Sequence, residues 1–122
     1  MEKIPAIIDF WNSFGIPAYD EQDVPEDAKY PYITYELAIG NFESEIALSA
    51  GLWYRSSNWE AISKKCDEIS YKLHTMSPIK INNGYIRLWE GATPLFQRMA
   101  YENDDKVKRI VVNIMAEYMT NY

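Results

Sequence analysis

Apolar residues recur at helical spacing near the start of the chain, in residues 2–14. The members of this stripe fall on one face of a helix: Ile4, Ile7, Ile8, Trp11 and Phe14. Gly15 follows directly, where a glycine ends a helix by adopting a left-handed conformation. The pattern predicts a first amphipathic helix over residues 2–14.

A second apolar stripe runs through residues 58–75. Its members share one helical face: Trp59, Ile62, Cys66, Ile69 and Leu73. Ser57 and Glu60 have the spacing of a capping box, in which each side chain accepts a hydrogen bond from a backbone N–H at the helix start. Pro78 prevents the helix from continuing. The pattern predicts a second helix over residues 58–75.

Alternation of apolar and polar residues predicts strands in the remaining segments. A short strand is predicted at 16–19, longer strands at 32–39, 45–55 and 106–118, and a hairpin at 79–91 around a type I′ turn at Asn83-Gly84. In 45–55 the even-numbered residues from Ile46 to Tyr54 form one face; in 106–118 the even-numbered residues from Ile110 to Ala116 do so. The acid-rich segment 20–31 is predicted to be an exposed loop, 40–44 a turn, and 91–105 a longer connection.

This order of elements predicts one α+β domain over residues 1–122. We expect a mostly antiparallel sheet of about five to six strands with two helices packed on one face. A length of 122 residues suits one hydrophobic core.

Charge and composition narrow the classes of function. The net charge of −6 opposes binding to phosphate backbones and to anionic membranes. No apolar run is long enough to span a membrane, and the N-terminus lacks the pattern of a signal peptide. Aromatic residues reach 15% and include ten Tyr and four Trp, which suit surfaces that are wet when free and dry when bound.

No constellation of residues predicts catalysis, a metal site or a cofactor. His74 is the single histidine and is expected at the surface near the end of the second helix. Cys66 lies on the apolar stripe, roughly 12 Å along the helix from His74, and is expected in the core. The acids of residues 20–27 lack the calcium-loop pattern and are expected to be solvated.

The order of several sequence blocks resembles that of small tail-completion proteins of long-tailed bacteriophages and prophages. The blocks read FGIPAYD, DVPEDAKYPYITYE, LWYRSSNWEAISKK, NNGYIRLWEG and PLFQRM, and the resemblance covers about Ile8 to Tyr118. The resemblance implies an α+β subunit that forms a sixfold ring, caps the tail tube, ends its polymerisation and joins the tail to the head connector. It implies no catalytic residues.

This resemblance sets the expected partners and location. The partners would be further copies of the chain, the major tail-tube protein and the head-completion or connector protein, in the bacterial host cytoplasm during assembly and then in the virion tail. Arg87 and Arg98 could meet the acidic loop of a neighbouring copy. The side chains predicted to form interfaces are Tyr19, Asp23, Tyr30, Tyr32, Arg87, Trp89, Phe96, Gln97 and Arg98.

Two alternatives of other classes remain open at this point. One is a small ligand-binding or regulatory α+β module that dimerises through its sheet, which would require a deep apolar pocket with converging polar groups. The other is a hydrolase that uses acids of residues 20–27 and 102–105, although no spacing fixes their mutual geometry.

Overall fold

The structure, a computed structural model, describes residues 2–37, 45–91, 94–99 and 104–120. These residues contain two helices and seven strands. In chain order they are α1 (Lys3–Asn12), β1 (Ala18–Asp20), β2 (Tyr32–Tyr35), β3 (Glu45–Arg55), α2 (Glu60–Thr75), β4 (Ile79–Ile81), β5 (Gly84–Trp89), β6 (Phe96–Met99) and β7 (Val107–Thr120). The predicted turn at 40–44 lies outside the described residues.

The strands form one mixed sheet centred on β3 and β7. The strand order is β1-β2-β3-β7-β5-β4, and β6 also pairs with β7. β1 and β2 are parallel, whereas the other described pairs are antiparallel. β3 pairs with β7 from Val107 to Glu117. On the opposite side of β7, β6 pairs with residues 109–112 and β5 with residues 115–120.

The alternation in the two central strands places the core on one face of the sheet. Leu48, Leu52, Val112 and Ile114 are fully buried there. Both helices contribute to the same hydrophobic cluster, α1 through residues such as Trp11 and α2 through its predicted stripe. The predicted α+β class, with two helices on a strand-rich sheet, is confirmed.

The helix ends differ from the prediction in two respects. Ile4 was placed on the buried stripe but is 42% exposed. The buried face of α1 is centred near Phe10 and takes in Ala6, so Ile4 falls on its flank at 3.6 residues per turn. The capping box before α2 does not form; instead, Asn58 Oδ1 accepts a hydrogen bond of 3.0 Å from the Glu60 backbone N–H. Gly15 has a φ of 81°, as expected after α1.

The strand boundaries also differ in detail. The hairpin of β4 and β5 is confirmed, but Ile81 pairs with Gly84, so its two loop residues are Asn82 and Asn83 and not Asn83 and Gly84. The predicted strand at 32–39 is shorter, because residues 36 and 37 are not in strand and 38–39 lie outside the described residues. The predicted connection at 91–105 contains β6, which pairs with the part of β7 that β5 leaves free.

Candidate interaction surface

The face of the sheet away from the helices carries a row of stacked side chains. Strand pairing places Tyr32 of β2 beside Trp53 of β3, and Trp53 beside Arg109 of β7. The rings of Tyr32 and Trp53 are stacked with centroids 6.2 Å apart, and the Arg109 guanidinium lies 4.6 Å from the Trp53 ring centroid. Tyr19 and Tyr30 extend the row by packing against Tyr32 at 5.9 and 5.4 Å.

Gly51 and Thr34 fix the position of the Trp53 ring. The indole Nε1 donates a hydrogen bond of 2.9 Å to Thr34 Oγ1. A methyl group at Gly51 would lie 2.9 Å from the same Nε1, closer than real side chains approach. The absence of a side chain at Gly51 therefore allows the indole to lie flat across β3, and the ring is held there before any partner binds.

Trp89 of β5 forms a second unit of the same kind on this face. The Arg87 guanidinium lies 4.3 Å from the Trp89 ring centroid. A methyl group at Gly91 would lie 2.6 Å from Trp89 Nε1 and 2.5 Å from the Met115 side chain, so the glycine again leaves room for the ring. Met115 pairs with Trp89 across β7 and β5. Guanidinium groups stacked on Trp are held by cation–π attraction.

A polar bridge separates the two units at the middle of the sheet. Ser49 Oγ donates a hydrogen bond of 3.1 Å to Asn113 Oδ1. Asn113 in turn donates from Nδ2 to the Pro94 carbonyl at 3.1 Å and from its backbone N–H to the Leu95 carbonyl at 2.8 Å. These bonds fix Pro94 and Leu95 against the centre of β7. We call the surface that both units and this bridge form the open face, because no described helix packs on it.

Most residues of the open face are only partly exposed. Tyr19, Tyr32, Trp53, Trp89 and Arg109 are partly buried, although no described helix packs on them. Tyr85, which also faces this side of β5, is 49% exposed. The face therefore offers large aromatic and guanidinium area in fixed positions, which is the composition enriched in protein–protein interfaces.

The structure brings some of the sequence-predicted interface residues together and separates others. Tyr19, Tyr30, Tyr32, Arg87 and Trp89 lie on or beside the open face. Asp23 is exposed in the acidic loop, and Gln97 is exposed on β6.

The side chains of Phe96 and Arg98 both point to the helix side of the sheet, away from the open face. Phe96 is partly buried against the core. The Arg98 guanidinium lies 4.5 Å from the Trp59 ring centroid, and Lys108 Nζ lies 5.6 Å from the same centroid. Arg87 and Arg98 therefore belong to different surfaces of the subunit.

Sequence reasoning missed Trp53 and Arg109 as candidate interaction residues. The alternation in residues 45–55 had placed Trp53 on the face away from the core, and a Trp on the polar face of a strand is itself a signal of an interaction surface. Arg109 carries no such signal. Its alignment with Trp53 depends on the pairing of β3 with β7, 56 positions apart in the sequence.

Groups capable of chemistry are scattered in the described part of the chain. The thiol of Cys66 is buried, and burial, with a smaller contribution from Asp67, raises its pKa to about 12. His74 is exposed, hydrogen-bonds to the Ser70 carbonyl through Nδ1 at 2.7 Å and approaches Glu90 at 3.5 Å. The expectations of a buried cysteine and a surface histidine are confirmed.

The acidic side chains of the described residues form no metal-binding cluster. Within the described ranges, no group of three His, Cys, Asp or Glu side chains could hold a metal ion. The backbone N–H of Lys106 and then the side chain of Arg55 hold the pKa of Asp104 below its ordinary value. Asp104 therefore acts as a structural anchor at the start of β7.

One surface pocket of about 440 Å³ lies beside the first loop. It is open to solvent, and its lining residues are Ala28, Lys29, Tyr30, Pro31, Tyr54 and Arg55. Burial, with a smaller contribution from Glu68, raises the pKa of the Tyr54 hydroxyl. The pocket is shallow, in contrast to the deep apolar site that the ligand-binding alternative requires.

Fold and surface together define a small α+β domain with helices on one face of a mixed sheet and a preordered aromatic and arginine surface on the other. Neither described helix is both long and apolar enough to cross a membrane. Comparison with models of known protein families and with curated proteins finds no match.

Proposed function

We propose that this chain is a structural subunit of phage virion assembly, a tail-completion protein that caps the tail tube, ends its polymerisation and joins the tail to the head connector as a ring of identical copies. The observation that carries the proposal is the open face, where two Trp rings, each with a stacked arginine, lie in fixed positions without cover from any described helix.

The physical argument concerns the cost of binding. A surface side chain that is ordered only on binding loses about 0.5–1.5 kcal/mol of conformational freedom. Trp53 has already lost this freedom, because Thr34 and Gly51 hold its ring in place. A face of this kind is therefore suited to binding a protein.

The sequence resemblance supplies the class of assembly. The blocks from FGIPAYD to PLFQRM resemble phage tail-completion proteins, and a preordered face agrees with a subunit that contacts other proteins. The net charge of −6 also suits a ring through which DNA passes, because an acidic wall repels the phosphate backbone. The proposed partners are other copies, the tail-tube protein and the head connector.

The proposal can be tested by mixing the purified chain with a phage tail-tube protein that polymerises into tubes. Arg87→Glu alters the open face, whereas Lys64→Glu makes the same charge change on α2, where the Lys64 side chain is 75% exposed. We expect the unaltered chain and Lys64→Glu to cap tubes and limit their length in negative-stain images. Arg87→Glu should fold normally by circular dichroism but cap poorly.

Two results would count against this function. Tubes that grow to the same length with and without the chain would show that it does not end polymerisation. Equal capping by Arg87→Glu and Lys64→Glu would show that the open face is not the binding surface, and the structural support for the proposal would be lost.

The ligand-binding alternative has one observation in its favour. The volume of the pocket between Lys29 and Arg55 lies in the range of small-molecule sites, about 300–1,000 Å³. Its two basic side chains would select an anionic ligand. Calorimetric titration with small carboxylates and phosphates, together with a stable dimer in sedimentation experiments, would favour this alternative over the ring.

A further inference from the structure

Two surfaces of opposite charge lie at the two edges of the sheet. At the level of Tyr32 and Trp53 the strands run in the order β1, β2, β3, β7, β6, so β1 and β6 are the outermost strands there. We call β6 with its Arg98, together with Arg109 on the neighbouring strand β7, the basic edge. We call residues 20–27, which follow from the end of β1, the acidic loop.

The guanidinium groups of the basic edge have no acidic partner among the described residues. Arg98 lies on Trp59 on the helix side, and Arg109 lies on Trp53 on the open face. Neither forms an ion pair with any described residue, and Arg109 Nε is buried without a hydrogen-bond acceptor among them. The nearby carboxylate of Asp104 is engaged by Arg55.

The backbone of the basic edge is also available. β6 pairs with β7 on one side, and no other described strand pairs with its outer side. An outer strand of this kind has N–H and C=O groups that can bind another chain. The basic edge therefore combines directional backbone groups with positive charge.

The acidic loop carries five carboxylates in eight residues and no basic side chain. They are Asp20, Glu21, Asp23, Glu26 and Asp27. Within the described residues none of them forms an ion pair, and the last four are exposed. Asp20 Oδ1 accepts a hydrogen bond of 2.9 Å from the Gln22 backbone N–H, which shapes the start of the loop.

The two surfaces start from opposite ends of this strand order. Four strand spacings separate β1 from β6, and at about 4.8 Å each they amount to roughly 19 Å. The chain after the acidic loop returns towards β3, where Ala28 and Arg55 line one pocket. Among the described residues, however, no ion pair joins the acidic loop to the basic edge of the same chain. A second copy can bring the complementary charges into contact.

We infer that the basic edge of one copy binds the acidic loop of a second copy, head to tail. Because the two surfaces differ, each copy can use both at once, and such contacts generate a ring when the rotation closes. The inference deepens the proposed function and rests on it for the closed ring, but the contact itself can be measured without any tail component.

A charge exchange between the two surfaces tests the contact directly. Arg98→Glu and Asp23→Lys should each weaken self-association about tenfold at low salt, because each places like charges in the contact. The double variant Arg98→Glu with Asp23→Lys should restore association, since the pair is again complementary. Lys80→Glu, an exposed lysine on the edge strand β4, is the matched control and should associate as the unaltered chain does.

Sedimentation velocity over a range of concentration and salt gives the association constants, and circular dichroism verifies that each variant is folded. A second readout does not depend on altering Arg98. Copies with Gln97→Cys are mixed with copies with Asp23→Cys and oxidised, and we expect cross-linked pairs between the two kinds of copy. The native Cys66 is buried, so the unaltered chain under the same oxidation gives the background level of cross-linking.

The results of these experiments test the contact between copies separately from the proposed function in tail assembly. An unaltered chain that is monomeric at every concentration, single variants that match Lys80→Glu, or an absence of mixed cross-links would each overturn the inference, whatever the result with tail tubes. Charge exchange that restores association in a chain that never caps tubes would uphold this contact and reject the proposed function.

Discussion

Replacing Gly51 with alanine tests whether close packing against this glycine fixes the Trp53 ring. The new methyl group would lie 2.9 Å from Trp53 Nε1 and 3.0 Å from Thr34 Oγ1. Because Thr34 is buried, the structure relieves the overlap most easily by moving the indole outward. That movement breaks the hydrogen bond of 2.9 Å from Trp53 to Thr34 and disturbs the stack with Tyr32.

The expected loss of stability follows from three contributions. Loss of the hydrogen bond costs about 0.5–1.5 kcal/mol. Overpacking costs about 1–3 kcal/mol, less where the indole can move into solvent. Replacing glycine by alanine in a strand stabilises the fold by about 0.5–1 kcal/mol, because alanine gives the unfolded chain less conformational freedom to lose on folding. We therefore expect Gly51→Ala to lower the free energy of unfolding by about 1–3 kcal/mol.

A double-mutant cycle isolates the role of Trp53. In a Trp53→Ala background the overlap with the indole is gone, and the remaining approach to Thr34 needs a shift of only a few tenths of an ångström. Gly51→Ala should then raise the free energy of unfolding by up to about 1 kcal/mol, because the gain from replacing glycine remains and the small shift at Thr34 offsets only part of it. Urea unfolding followed by far-ultraviolet circular dichroism measures all four proteins. An equal cost of Gly51→Ala in both backgrounds would refute the reasoning.

Three further predictions concern the core and the start of β7. Cys66 should resist thiol reagents at pH 8 in the native protein and react fully in urea, because burial raises its pKa to about 12; rapid native labelling would contradict this. The lowered pKa of Asp104 means that it stabilises the fold above its ordinary pKa of 3.8 and loses this effect as pH falls through the lowered value. Unfolding curves of the unaltered chain and Asp104→Asn should therefore differ at pH 6 and converge in acid, and a constant difference would oppose the assignment. Ile69→Ala should lower the free energy of unfolding by about 2–5 kcal/mol and Ile4→Ala by less than about 1 kcal/mol, because Ile69 is fully buried and Ile4 is not. Equal losses in thermal or urea unfolding would contradict the assignment of Ile69 to the core and Ile4 to the surface.

The sequence alone determined the helices and the core face of the long strands. Spacing at 3.6 residues identified α2 and its stripe from Ile62 to Leu73, and alternation assigned Leu48 and Val112 to the core. These are local consequences of amphipathic patterns, since one face of each element must be buried. The same patterns placed Cys66 in the core.

Only the tertiary structure revealed β6. Its four residues, FQRM, show no alternation long enough to distinguish a strand from a connection. They form a strand because β7 is longer than β5 and leaves backbone groups free at residues 109–112. Since 91–105 was interpreted as a connection, the sequence could not show that Phe96 and Arg98 point away from Gln97.

The open face itself was likewise decided by strand register. Alternation predicts that Trp53 points away from the core, but only the pairing of β2, β3 and β7 aligns it with Tyr32 and Arg109. Register depends on backbone hydrogen bonds between segments far apart in the chain, and a slip of one residue would send each side chain to the other face. Alternation therefore determined which face of the sheet these strand residues point to, and the register determined which of their side chains touch.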